Sequence, residues 1–286
     1  MGPGFDCLAV ALDIWNTATV KVGGSLRSVQ GHGSELLGNT YAELVAQSVS
    51  IPFQEAGLPE PDISIECHNS IPAAKGLGSS AAAIVAGILA GNELSGAGLD
   101  SHTLLRLAIE KEGHPDNVTA TARGGCQIVV PSNGEHITAE IPFPEELKTV
   151  LYIPNIPRST SKTRKLLPKT YSAEDAIFNL GRVALLTRAL STGDLNHLNI
   201  ATQDQLHQPF RIPIYPGIKN VLRAALEAGA LGVYLTGSGP SVLALTNGHE
   251  MTIGYEMSEA AEKSGLTGEL SVTSPTRQGA HFVEST

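Results

Sequence analysis

The chain has 286 residues, 42% of them hydrophobic and 16% charged, and its formal net charge is −9. This composition supports a substantial core and argues against long disorder, while the acidic balance argues against a basic nucleic-acid-binding surface. The longest apolar run, 81–90, has about half the length that spans a bilayer, and no signal peptide is visible. We therefore expect a cytoplasmic protein without membrane or nucleic-acid partners.

The first half of the chain contains both strand and helix patterns. β-branched and alternating apolar residues indicate strands, and capping residues followed by apolar residues at helical spacing indicate helices. The predicted elements are strands over 8–22, 62–67, 126–130 and 136–141 and helices over 39–54, 79–94 and 101–112. Residues 142–146 form the predicted junction to the second half.

The second half has the same mixed character. Its predicted elements are strands over 149–153, 231–235, 241–245, 269–272 and 280–283, helices over 175–191, 216–228 and 255–263, and a shorter helix that ends near His207. Strands and helices segregate along the chain instead of alternating strictly, which favours α+β architecture. We predict two α+β domains, residues 1–144 and 145–286.

The chain opens on a turn-like, Gly- and Pro-dense segment, Met1-Gly-Pro-Gly-Phe-Asp6. A turn normally connects two elements of secondary structure. We therefore expect that a preceding strand is absent from this sequence.

The segment from Lys75 to Ser80 joins a predicted strand to a predicted helix. Gly76 and Gly78 allow positive φ and close backbone approach, and Ser79 and Ser80 occupy the expected start of the helix. Free N–H groups and the helix dipole at such a turn suit a phosphate, and Lys75 adds a positive charge. A short motif of this kind is, taken alone, more often an ordinary turn.

Four segments concentrate polar groups that a core does not need, namely 2–6, 76–80, 112–117 and 236–240. With the basic loop around Arg164, they provide the donors, carboxylates and glycines that magnesium-nucleotide chemistry uses. Mg²⁺ takes one or two protein oxygens and leaves its other positions to phosphates and water. The hydroxyl of Ser80 and the carboxylate of Glu112 suit that role.

These segments carry a resemblance to a known group of enzymes. Residues 72–82 (Pro-Ala-Ala-Lys-Gly-Leu-Gly-Ser-Ser-Ala-Ala) and 235–241 (Leu-Thr-Gly-Ser-Gly-Pro-Ser) resemble two motifs of the galactokinase, homoserine kinase, mevalonate kinase and phosphomevalonate kinase (GHMP) superfamily. The stretch Glu112-Gly-His-Pro-Asp-Asn-Val, with 158–168 and 208–213, narrows the resemblance to the homoserine kinase family. The resemblance extends from residue 1 to about 283.

The resemblance implies an α+β kinase of two domains. The N-terminal domain would be like the second domain of ribosomal protein S5, the C-terminal domain would be ferredoxin-like, and ATP would lie in the cleft between them. The implied reaction is phosphorylation of the side-chain hydroxyl of L-homoserine to O-phospho-L-homoserine, with ATP and Mg²⁺ as cofactors. The family also suggests a homodimer.

The resemblance also implies roles for individual residues. Those matching the ATP-binding positions are Pro72, Ala73, Ala74, Lys75, Gly76, Leu77, Gly78, Ser79, Ser80, Gly237, Ser238 and Gly239. The Mg²⁺ ligands would be Ser80 and a glutamate, for which we favour Glu112 over Glu110. The positions that match those holding homoserine are Asp6, His114, Asp116, Arg164 and Arg211.

The implied catalytic residues are Asp116, Asn117 and Thr160, the last near the transferred phosphate. The place of Asn117 resembles that of a catalytic aspartate base in mevalonate kinases, and an amide does not accept a proton. We therefore hypothesise that transfer needs no dedicated strong base. Asp116 and Asn117 would orient the hydroxyl while Mg²⁺ and the helix N-terminus neutralise charge.

Two alternatives stay open. One is another small-molecule kinase of the superfamily that acts on a mevalonate-like alcohol, against which the segment from Glu112 to Asn117 argues. The other is a truncated, inactive nucleotide-binding protein, which the expected missing strand motivates.

Overall fold

The computed structural model describes residues 1–156 and 163–283. The strands are β1 (Leu8–Val10), β2 (Asn16–Val22), β3 (Arg27–Gly31), β4 (Ile63–Asn69), β5 (Cys126–Ser132), β6 (Glu135–Ile141), β7 (Lys148–Pro154), β8 (Gly232–Leu235), β9 (Val242–Thr246) and β10 (Gly268–Thr273). The helices are α1 (Ser34–Leu37), α2 (Thr40–Glu55), α3 (Ser79–Ser95), α4 (Ser101–Glu112), α5 (Pro115–Arg123), α6 (Ala173–Thr192), α7 (Leu198–Ala201), α8 (Gln208–Arg211), α9 (Ile218–Glu227) and α10 (Glu250–Lys263). Within these ranges, no helix combines the length and apolarity that a membrane crossing requires.

The N-terminal half contains two three-stranded sheets. In one, β5 lies between β1 and β6 and is antiparallel to both; in the other, β4 lies between β2 and β3. β4 is antiparallel to β2 and parallel to β3. β4 leads into the glycine-rich loop and α3, so the second sheet positions the start of that helix.

Helix α3 packs closely against α2 because glycines lie at the crossing. A Cβ on Gly87 would lie 2.5 Å from the carbonyl oxygen of Val45, and one on Gly91 would collide with the carbonyl of Val49. Any larger residue at these two positions would push the helices apart. The direction of α3, and with it the place of its N-terminus, depends on this contact.

The C-terminal half is built on a four-stranded antiparallel sheet in the order β10-β7-β9-β8. In sequence order this is a 4-1-3-2 arrangement, with helices between β7 and β8 and between β9 and β10, the ferredoxin-like pattern. One face of the sheet packs on α9 and α10 through Ile218, Val221, Ile253 and Met257.

The other face of this sheet forms a core that both halves of the chain share. Leu151 and Leu243 of the sheet pack with Leu186 of α6, and Leu8 and Ile141 from the N-terminal half belong to the same cluster. The boundary that we predict at 144/145 falls in the connection between β6 and β7. The shared core holds the two halves against each other, so a site between them has rigid walls.

The prediction of an α+β fold with a ferredoxin-like C-terminal domain is confirmed. Strand β3 was not predicted, because Val29 is its one strongly apolar residue. Two local predictions are wrong: 280–283 contains no strand, and the short helix predicted to end near His207 ends at Ala201. The backbone N–H of Ala280 donates instead to the carbonyl of Thr121 on α5.

A buried polar cluster ties the N-terminal segment to the C-terminal half. The side chain of Asn179 on α6 donates to the Pro3 carbonyl at 3.0 Å and to Asp204 Oδ1 at 2.8 Å. Asp204 also accepts the backbone N–H of His207 at 2.9 Å. The ring Nε2 of His207 is 2.8 Å from the carbonyl of Gly2, which requires Nε2 to carry the proton and donate.

We predict that His207 makes the stability of the fold fall in mild acid. Burial, opposed by the charge of Asp204, lowers the pKa of His207 to about 4. The unfolded chain, with an ordinary histidine pKa of about 6.5, binds the proton first, so stability is complete above that value and is lost as pH falls toward 4. From pH 7.5 to pH 5.0, the free energy of unfolding measured in urea should fall by about 2 kcal/mol more in the native protein than in His207→Gln. An equal pH dependence in the two proteins would contradict the prediction, and the exposed His197→Gln is the matched control.

Candidate active site

The N-terminus of α3 is open toward the cleft between the two halves. Gly78 occupies the N-cap with φ 77° and offers no side chain to the first turn. The first N–H groups of a helix have no partner within the helix. Because Gly76 also has φ 77°, the loop exposes its backbone, as a phosphate-binding turn requires.

The turn between β8 and β9 packs directly on this loop. A Cβ on Gly76 would collide with the carbonyl of Thr236 and lie 2.9 Å from the backbone nitrogen of Gly239. The backbone N–H of Ser241 donates to the carbonyl of Lys75 at 3.3 Å. The predicted ATP-binding residues of the two loops therefore form one backbone-lined surface, to which the N-terminal and C-terminal halves both contribute.

The ammonium group of Lys75 is engaged with the C-terminal half. Its Nζ donates to the carbonyl of Pro154, at the end of β7, at 2.6 Å. Burial lowers the pKa of Lys75, although the charge of Glu269 opposes the change. The side chain thus fastens the glycine-rich loop to the neighbouring sheet, and the loop's backbone is the part that faces the cleft.

Four side chains form a continuous polar chain beside the start of α3; we call Ser80, Glu112, His114 and Asp116 the carboxylate–imidazole chain. Ser80 Oγ donates to Glu112 Oε2 at 2.7 Å. Glu112 Oε1 lies 3.5 Å from His114 Nε2, and His114 Nδ1 donates to Asp116 Oδ1 at 3.0 Å. The chain runs from the first turn of α3 to the first turn of α5.

The ends of two helices produce this arrangement. Helix α4 ends at Glu112, and Gly113 follows in the left-handed region with φ 84°. His114 is the N-cap of α5 and Pro115 its first residue, a position that proline favours. The sharp turn brings Glu112 and Asp116 to opposite sides of the same imidazole.

The two carboxylates of the chain have opposite pKa shifts. Burial raises the pKa of Glu112, and the hydrogen bond from Ser80 only partly offsets this. Burial also acts to raise the pKa of Asp116, but the hydrogen bond from His114 and nearby positive charge outweigh it and lower the pKa. For His114, burial is outweighed by the hydrogen bond to Asp116 and by the carboxylate charges, so its pKa is raised.

A second group of side chains lies around Asp6. Both carboxylate oxygens of Asp6 accept from the fork of Arg164, at 2.7 and 2.8 Å. The hydrogen bonds to Asp6 raise the pKa of Arg164, and the charge of Asp116 adds to the effect. Arg164 therefore connects the group around Asp6 to the carboxylate–imidazole chain by an electrostatic interaction with Asp116.

Arg211 is buried, with 2% of its surface exposed. Its Nη1 donates to the carbonyl of Gly237 at 2.9 Å and to Nδ1 of His207 at 3.3 Å, while Nε has no hydrogen-bond partner within 1–156 and 163–283. Burial lowers the pKa of Arg211, and the charge of Arg164 lowers it further. No carboxylate pairs with Arg211 among the residues that the structure describes.

Phe5 is a site residue that the sequence reasoning missed. Its ring centre lies 5.2 Å from the guanidinium carbon of Arg164, 5.1 Å from that of Arg211 and 5.2 Å from the stacked ring of His207. The one available signal was its position between Gly4 and Asp6 in a segment already marked as polar. A phenylalanine in that position is read more readily as a core residue.

The remaining predicted residues fall into three groups. Asp116 and Asn117 line a groove of about 840 Å³ together with Gly76, Gly78 and Gly237. Glu110 pairs instead with Arg106 at 2.8 Å on the exposed face of α4. Thr160 lies outside the described residues.

The site has two oxygen donors suited to a hard cation, the Ser80 hydroxyl and the Glu112 carboxylate, 2.7 Å apart. Mg²⁺ takes oxygens at about 2.1 Å, so both groups are close enough to bind the same ion. Across residues 1–156 and 163–283, no group of three or more His, Cys, Asp or Glu side chains could hold a metal ion. The donor set fits a cation whose other ligands are phosphates and water.

Comparison with known proteins bears on this geometry. The family model for the N-terminal domain of GHMP kinases matches residues 42–125, which include the glycine-rich loop and the carboxylate–imidazole chain. The model for the C-terminal domain of GHMP kinases matches residues 184–262, which include the turn between β8 and β9.

Relatives extend the match over nearly the whole chain. The homoserine kinase of Moorella thermoacetica is 37% identical over 98% of this chain and 95% of its own length. A crystal structure of homoserine kinase from Cytophaga hutchinsonii superposes with a TM-score of 0.84, with 30% identity, over 97% of this chain and 92% of that one. L. major mevalonate kinase shares the fold alone, with a TM-score of 0.68 and 15% identity over 96% of this chain and 90% of that one. The chain belongs to the GHMP kinases and, within them, to the homoserine kinase family.

Proposed function

We propose that this chain transfers the γ-phosphoryl group of ATP to the side-chain hydroxyl of L-homoserine, a step of threonine biosynthesis. The family membership supports an ATP-dependent kinase with this acceptor. The observation that carries the proposal is the carboxylate–imidazole chain, because it links the N-terminus of α3, suited to phosphate, to Asp116, whose charge acts on Arg164. Phosphoryl transfer needs positioning and charge neutralisation more than covalent chemistry.

On the nucleotide side, the backbone from Lys75 to Ser80 would receive the phosphates, with Gly237 to Gly239 behind it. Ser80 and Glu112 would hold Mg²⁺, which supplies charge neutralisation between the phosphates when bound. Glu112 is the better candidate than Glu110, since Glu110 is engaged with Arg106 on the outer face of α4.

On the acceptor side, the site offers groups of both charges to an amino acid. Arg211 is a buried guanidinium without a carboxylate partner among the described residues, and it suits the α-carboxylate of the substrate. Asp6 suits the ammonium group, and Asp116 suits the ammonium group or the reacting hydroxyl. His114 and Arg164 complete the predicted pocket, and Thr160 stays a prediction near the transferred phosphate.

The proposed mechanism uses no strong base. The lowered pKa of Asp116 makes it a weak proton acceptor, and its Oδ1 already accepts from His114 and from the backbone N–H of Asn117. Efficient general bases have a pKa near the working pH. Asp116 and Asn117 would orient the acceptor hydroxyl, and its proton would pass to an oxygen of the transferred phosphoryl group, with ADP as the leaving group.

The other expectations from the sequence stay predictions beside this function. They are a cytoplasmic location, a homodimer, the absence of nucleic-acid partners and the domain boundary at 144/145.

The acceptor can be tested with a substrate panel. We predict that ADP release, followed with a coupled assay, depends on L-homoserine and that mevalonate supports less than about a hundredth of its kcat/KM, because a pocket built for charged groups rejects an analogue that lacks the ammonium. Preference for mevalonate would favour the other kinase reading. No ADP release with either alcohol would favour an inactive nucleotide-binding protein.

The metal site can be tested with a matched pair of glutamates on α4. We predict that Glu112→Gln raises the Mg²⁺ concentration for half-maximal rate at least about ten-fold, because it removes one charged ligand. Glu110→Gln, which removes an exposed charge two residues away, should leave the Mg²⁺ requirement unchanged. A larger rise in the Mg²⁺ requirement from Glu110→Gln than from Glu112→Gln would indicate that Glu110 is the ligand.

The role of Asp116 can be tested by separating binding from chemistry. We predict that Asp116→Asn raises the KM for L-homoserine about ten-fold and lowers kcat less than about ten-fold, since loss of a general base costs about 10²–10⁴. A loss of kcat of about a thousand-fold with unchanged KM would show that Asp116 is the base.

A further inference from the structure

The ring of Phe5 lies against two cations and an imidazole. The guanidinium carbons of Arg164 and Arg211 are 5.2 and 5.1 Å from its centre, and the ring of His207 stacks on it at 5.2 Å with an interplanar angle of 26°. A cation within about 6 Å of an aromatic centroid is attracted by the ring quadrupole. One residue thus contacts both arginines of the predicted substrate pocket.

The two guanidinium groups carry like charges, and both contact the ring of Phe5. Burial lowers the pKa of Arg211 and the charge of Arg164 lowers it further, while the charges of Asp6 and Asp204 oppose the change. Arg164 is neutralised by the fork of hydrogen bonds to Asp6. Arg211 has only neutral partners among the described residues: the carbonyl of Gly237 and the ring of His207.

Burial lowers the pKa of His207 and keeps its imidazole neutral, and the hydrogen bonds of the ring fix its tautomer. Its Nε2–H donates to the carbonyl of Gly2, which leaves Nδ1 as the acceptor for Arg211. Its ring stacks on Phe5, so Gly2, His207 and Phe5 restrict one another. The pocket therefore holds one guanidinium with no ion-pair partner among the described carboxylates, and the ring of Phe5 supports it.

We propose that Phe5 is a positioning residue that holds Arg164 and Arg211 as a pair, so that they receive the α-carboxylate of the substrate. The inference rests on the proposed function, since it concerns how the same pocket recognises an amino acid. It extends that function by placing the selection for a carboxylate on an aromatic side chain next to Asp6, not on the arginines alone.

The test compares L-homoserine with L-homoserinol, which has a hydroxymethyl group in place of the carboxylate. In Phe5→Leu, we expect the KM for L-homoserine to rise about ten-fold, with kcat within about two-fold and the KM for ATP unchanged. The KM for L-homoserinol should be the same in Phe5→Leu as in the native protein, because L-homoserinol has no carboxylate for the two arginines to hold. Phe5→Trp, which keeps a ring quadrupole, should restore most of the preference for L-homoserine over L-homoserinol.

Phe143 provides the matched control. It is a buried phenylalanine whose ring centre lies 5.4 Å from the guanidinium carbon of Arg277, away from this pocket. Phe143→Leu should lower thermal stability as any large-to-small core change does, and leave the ratio of the two KM values as in the native protein.

Binding of L-homoserine and of L-homoserinol, measured by calorimetry without ATP, separates this inference from the proposed function. Native protein that binds L-homoserine in a Phe5-dependent manner but transfers no phosphoryl group would keep the inference and overturn the function. In Phe5→Leu, an equal loss of affinity for L-homoserine and L-homoserinol, or no loss of affinity for either, would overturn the inference. Native protein that neither binds nor phosphorylates L-homoserine would overturn both.

Discussion

The hydrogen bond between Ser80 and Glu112 is the contact on which the rest of the site depends. It joins the first turn of α3 to the last residue of α4, and through His114 it reaches Asp116 in the first turn of α5. Three helix ends therefore converge on one polar chain. The close approach of α3 to α2 at Gly87 and Gly91, and the shared core behind the cleft, hold those helix ends in place.

The environments of the two carboxylates divide their roles. Both are largely buried, with side chains 9% and 14% exposed, yet only Glu112 has its pKa raised. Asp116 receives hydrogen bonds from His114 and from a backbone N–H, so its negative charge is stabilised without a metal. A carboxylate that lacks such donors benefits most from a cation. The arrangement suits Glu112 to a metal and Asp116 to orientation of the acceptor.

The sequence predicted the parts of the candidate site that depend on backbone conformation better than the parts that depend on tertiary contacts. The loop around Gly76 and the turn after Glu112 were found because glycine and proline mark special conformations. Phe5 was missed because its three partners are distant in sequence. Strand β3 was missed because it pairs in parallel with β4 despite a mostly polar sequence, and 280–283 alternates like a strand but binds α5 instead.

The central claim is that the cleft brings the γ-phosphate of ATP to the side-chain hydroxyl of homoserine. Phosphorus NMR of the product formed from ATP, Mg²⁺ and L-homoserine tests it most directly. The account predicts a phosphomonoester whose phosphorus couples to the protons of the terminal methylene group. A phosphoryl group on the carboxylate, or inorganic phosphate as the only product besides ADP, would contradict it.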